Sequence, residues 1–108
     1  MILSNDNKTL VLEINSAILN DSDFFSTYSK EAVDHDVVLS CLSISDLNDQ
    51  ETELTNLYRN FHKEGHTTLM VATPEQYNDF PEDLVLVPTL EEAHDFIEME
   101  RIQRDLGF

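Results

Sequence analysis

The chain has 108 residues, with 22 Asp and Glu against 6 Lys and Arg, giving a formal net charge of −16. A hydrophobic share of 41% provides for a core in a single domain. The charge excludes direct docking on a nucleic-acid backbone or an anionic membrane, because both require cations to replace phosphate counterions.

No apolar run approaches the roughly 18 to 20 residues of a membrane span. The opening MILSNDNK lacks the basic start and apolar middle of a secretory leader. The lone Cys41 sits inside an apolar run, which suits a reducing compartment, so a cytoplasmic location is expected.

In chain order, residues 1–3 form a short apolar start and Ser4-Asn5-Asp6-Asn7 reads as a turn. Residues 10–14 read as a strand, hairpin-paired with the first. Asp21 and Ser22 offer caps for a helix reaching Val33, with Phe24, Phe25, Tyr28 and Ala32 on one face. Residues 37–44 (VVLSCLSI) form a strand apolar enough to be central in a sheet. Asn48 and Glu51 make a cap pair for the next helix, which places Leu54, Leu57, Tyr58 and Phe61 at helical spacing and ends near Gly65. Residues 67–72 are a further strand, and Pro74 opens a turn or short helix through Tyr77 and Phe80.

The tail is the most explicit segment. Leu84-Val85-Leu86-Val87 is an apolar strand stopped by Pro88, and Thr89 with Glu92 has capping-box spacing. The helix that follows is closed by Gly107. At about 100° per residue, Leu90, Ala93 and Ile97 fall on one side and Met99, Ile102 and Leu106 nearly opposite, with Phe96 between. One face packs on the helix's own domain. The other is either curled over the sheet or covered by a partner. Alternating strands and helices of these lengths predict a small α/β domain with a mixed, mostly parallel sheet of about 4 to 5 strands and about 4 helices.

The order of elements, with the VVLSC strand and the PTLEEA step, resembles the STAS domain of anti-anti-sigma factors over essentially the whole chain. The resemblance implies a regulatory protein-interaction module. In that family the loop after the VVL strand carries an Asp-Ser-Ser/Thr-Gly motif whose serine is phosphorylated. Counting forward from Val37, that loop falls on Asn48, Asp49, Gln50 and Glu51, where neither Ser nor Gly stands. Asp49 takes the phosphoserine's place, so the expected switch is degenerate.

The last 20 or so residues are similar to the C-termini of short STAS-like proteins of Bacteroidetes, some of which bear the name ribonuclease Z, the tRNA 3′-processing nuclease. That enzyme class uses a metallo-β-lactamase fold and a His-x-His-x-Asp-His loop, which this chain lacks. What the name implies here is an accessory subunit of an RNA-processing enzyme, not a nuclease.

Other chemistry finds little purchase. His94 and Glu98, four apart on the terminal helix, could share a metal, but no further ligand accompanies them. His62 and His66 straddle Gly65. There is no calcium-loop pattern, no G-x-S-x-G elbow, and with two glycines no phosphate-cradling loop. Neither an enzyme nor a cofactor is expected. The expected contacts are a protein partner or a homodimer through Met99, Arg101, Ile102, Leu106 and Phe108 of the terminal helix, with the loop at Asn48–Glu51 as a second binding element.

Overall fold

A computed structural model describes residues 2–6, 8–21, 23–32, 35–42, 44, 50–64 and 67–107. Strands β1 (Ile2–Asp6) and β2 (Thr9–Glu13) are followed by helices α1 (Ser16–Leu19) and α2 (Phe24–Ala32) and strand β3 (Asp36–Ser40). Helix α3 (Glu51–Glu64), strand β4 (Thr68–Val71), a 3-10 helix (Pro74–Asp79), the two-residue strand β5 (Leu86–Val87) and helix α4 (Leu90–Asp105) complete the order. The chain is thus an α/β protein with a five-stranded mixed sheet, as its patterning predicts.

The strands lie side by side in chain order, β1-β2-β3-β4-β5. β1 is antiparallel to β2, and the remaining pairs are parallel. Crossovers of one hand between successive parallel neighbours bring their connecting helices to a single face. Accordingly Leu10, Leu12, Val37, Leu39 and Met70 pack with Phe24, Ala32, Leu54, Leu57, Tyr58 and Phe61. Val11, Val38, Leu69 and Val71, of opposite parity along the strands, pack with Ala93 and Ile97 of α4. Burial of both faces explains why residues 37–39 of β3 and 69–71 of β4 are apolar in unbroken sequence, with no polar alternation.

The predicted faces of α2 and α3 are the buried ones. Phe24 and Ala32 are buried, Phe25 and Tyr28 pack partly against them, and Phe61 meets the Phe25 ring edge-on at 5.0 Å. Differences lie at the element ends. β1 runs through Ser4, Asn5 and Asp6, where Asp6 pairs with Thr9, and Lys8 lies in the left-handed region at φ 59°. The strand expected over 37–44 ends at Ser40, although Cys41 and Ile44 stay buried and continue its apolar contribution. Helix α1 is not anticipated by periodicity; the Asn15 carboxamide caps it, accepting the Ile18 amide at 2.9 Å. α2 begins at Phe24, preceded by an Asp21 carboxylate that accepts the Asp23 amide at 2.9 Å.

The strand expected over 84–87 is reduced to Leu86–Val87, and the Tyr58 side chain shows why. In the β4–β5 register, Met70 pairs with Leu86, so a regular ladder would join the Thr68 carbonyl to the Val85 amide. Instead the Tyr58 hydroxyl lies between them, donating to Thr68 O at 2.7 Å and accepting from Val85 N at 3.1 Å. One ladder rung becomes two bonds through a hydroxyl, and the strands separate there.

Candidate interaction face on the terminal helix

Thr89 starts α4 as its spacing predicts: extended at φ −142°, its hydroxyl accepts the Glu92 amide at 3.1 Å. The helix ends at Leu106 and Gly107, the latter at φ +83°, a conformation only glycine adopts without strain. Ala93 and Ile97 are its buried residues, and Leu90 and Phe96 are half-buried beside them. All four lie in the first half of the helix, which leaves its second half without a buried apolar anchor.

An ionic clasp holds that half instead. Arg101 Nε donates to Asp36 Oδ2 at 2.8 Å, and Arg104 Nη2 to the same carboxylate at 3.0 and 3.2 Å. Arg101 Nη2 also donates to the Lys8 carbonyl at 3.1 Å and to Thr9 Oγ1 at 2.8 Å. The Asp36 side chain is 2% exposed, so its charge is kept from water and is matched by two guanidinium groups at the start of β3. The Lys8 carbonyl serves twice, also accepting the Asp36 amide at 2.9 Å.

With the inner side fixed in this way, Met99, Ile102 and Leu106 face outward, 63%, 59% and 65% exposed. They keep the angular separation from Ala93 and Ile97 that the sequence implies. Arg101 is used differently from the expectation. Expected among the partner contacts, its side chain points inward to Asp36 and is 25% exposed. Phe108, Asn48 and Asp49 lie outside the described residues. Of the second expected element, Gln50 carries its carboxamide Nε2 3.0 Å from Ser16 Oγ, tying the start of α3 to α1, and Glu51 opens α3, half-exposed.

The remaining chemistry-bearing side chains are dispersed. His94 and Glu98 are both exposed on α4. Among the described residues no three His, Cys, Asp or Glu side chains converge as a metal site. Burial pushes the Cys41 thiol up to about 12, which leaves it protonated and poorly nucleophilic. A cleft of about 370 Å³ opens beside the Tyr58 wedge, lined by His62, Lys63, Thr68, Val85 and Phe96. At its rim Arg59 and Asp83 form a forked pair at 2.9 and 3.2 Å, and the guanidinium holds the Asp83 carboxyl below its ordinary range. Neither the clasp nor the wedge was legible in the sequence, since both join residues by side-chain geometry that spacing does not encode.

No helix among the described residues is long and apolar enough to cross a membrane. No family model, curated protein or solved structure matches the chain.

Proposed function

We propose that this chain is a non-catalytic protein-interaction module of the cytoplasm, regulatory in the manner of STAS domains but without their phosphorylatable serine, and that it binds through the outer face of α4. The observation that carries this reading is the apolar line of Met99, Ile102 and Leu106 on a helix whose opposite side is locked to the sheet. Burying what remains exposed of these three side chains contributes roughly 3 to 5 kcal/mol before association entropy is subtracted, so they anchor a contact to which other groups must add. The five-stranded α/β layout and the strand–Pro–Thr–helix step support the resemblance, and the protonated Cys41 supports a non-catalytic role.

The test is affinity capture with the tagged full chain from its native cytosol, beside an Ile102→Asp/Leu106→Asp variant shown by circular dichroism to be folded. A partner should be recovered in stoichiometric amount, identified by mass spectrometry, lost in the variant, and re-formed from purified components. Recovery of an RNA-processing nuclease would specify the accessory-subunit form of the same reading. The reading fails if no complex forms with either protein.

A further inference from the structure

We infer that the outer face of α4 receives a cationic amphipathic helix from another protein, and not a second copy of this chain. This rests on the reading of Met99, Ile102 and Leu106 as an interface. At spacings of three and four residues, Glu91, Asp95, Met99, Ile102 and Leu106 form one continuous line along α4. The line is divided: its first part is two carboxylates and its second part three apolar side chains. Glu92 stands beside the acidic part, Glu98 beside its junction with the apolar part and Asp105 beside the apolar end, and Glu91, Glu92, Asp95, Glu98 and Asp105 are all exposed. The helix's own cations, Arg101 and Arg104, are turned to Asp36 and offer this face no compensation.

A second copy fits this line poorly in either direction. Laid antiparallel in full overlap, its apolar part would cover the two carboxylates and desolvate them without a counter-charge, and staggered so that only Met99, Ile102 and Leu106 meet, it would bury three side chains from each copy and leave the acidic part unmatched. Laid parallel, carboxylate would meet carboxylate. Two bodies of −16 each also repel one another at a distance. The complementary occupant carries Lys or Arg along one part of a helical face and Leu, Ile or Met along the rest. Over the roughly 22 Å that separate Glu91 from Leu106 along the helix axis, it would meet charge with charge and apolar surface with apolar surface.

The experiment uses two synthetic helical peptides differing only in charge. One bears Lys in one half of a face and Leu in the other; its counterpart has Glu for each Lys. Each is titrated into the full chain while backbone amide shifts are followed by NMR. The lysine peptide should shift amides from Glu91 to Leu106. It should lose about tenfold or more in affinity as salt screens the charges, and again in Ile102→Asp, although that substitution adds attraction for a cation. The glutamate peptide should not bind.

Shifts scattered over the acidic surface and unchanged in Ile102→Asp would overturn the proposal in favour of general polyanion attraction. Equal binding of both peptides at α4 would overturn the charge requirement while leaving the interface standing. Absence of binding by either peptide would overturn the proposed occupant, leaving cytosolic capture to decide the interface separately. A dimer seen by sedimentation equilibrium and dispersed by Ile102→Asp would make the second copy the occupant.

Discussion

At the scale of single residues, Tyr58 shows how one hydroxyl can set the length of a strand. By standing between Thr68 O and Val85 N it satisfies both backbone groups and displaces the direct rung that would have extended β5. Removing the hydroxyl should therefore leave a donor and an acceptor without their partner. Tyr58→Phe is expected to lose about 1 to 3 kcal/mol in urea unfolding, and the Val85 amide should exchange faster with solvent. Cys41 gives a second test at this scale. With its thiol pushed up to about 12, it should resist a thiol-specific reagent at pH 8 in the folded protein and react at once in denaturant. Its burial was expected from the apolar run around it, whereas the role of the Tyr58 hydroxyl was not: the helical spacing of Leu54, Leu57, Tyr58 and Phe61 gives the face but not what an oxygen at its edge will bond.

At the scale of elements, α4 is fastened by two unlike means, apolar side chains near its start and an ion cluster near its end. The first was legible because Ala93 and Ile97 repeat with the helix. The second was not, because Asp36 lies 65 and 68 residues from Arg101 and Arg104 and nothing in their spacing pairs them. The two sides of the cluster should differ in cost. Replacing Arg101 and Arg104 together by Met strands a buried carboxylate, an effect of about 3 to 5 kcal/mol. Asp36→Ala leaves two side chains that are 25% and 35% exposed and can turn to water, so its loss should be smaller. Urea unfolding of the two variants tests that order. Element boundaries were less legible than element types. β1 continues through Ser4-Asn5-Asp6 because pairing with β2 overrides the turn preference of those residues.

At the scale of the whole molecule, the charge of −16 acts on the folded state as self-repulsion. Raising sodium chloride from low to moderate concentration should raise the melting temperature, and a decrease would mean that screening of favourable pairs such as Arg59–Asp83 outweighs that repulsion. The α/β class was legible because strand runs and helical periods alternate along the chain. Strand order was not, since periodicity identifies a strand without naming its neighbours. The order found, each strand beside its predecessor in sequence, bears on how the protein is made. No strand has to be inserted between two already paired, so the sheet can grow by addition at one edge as the ribosome releases it. Val11, Val38, Leu69 and Val71 nevertheless stay bare until Ala93 and Ile97 have emerged. Nascent chains exposed only as far as Pro88 should accordingly recruit chaperones or precipitate, and those exposed beyond Arg104 should not; ribosome-bound intermediates of the two lengths, each extended by a linker that fills the exit tunnel, would show the difference.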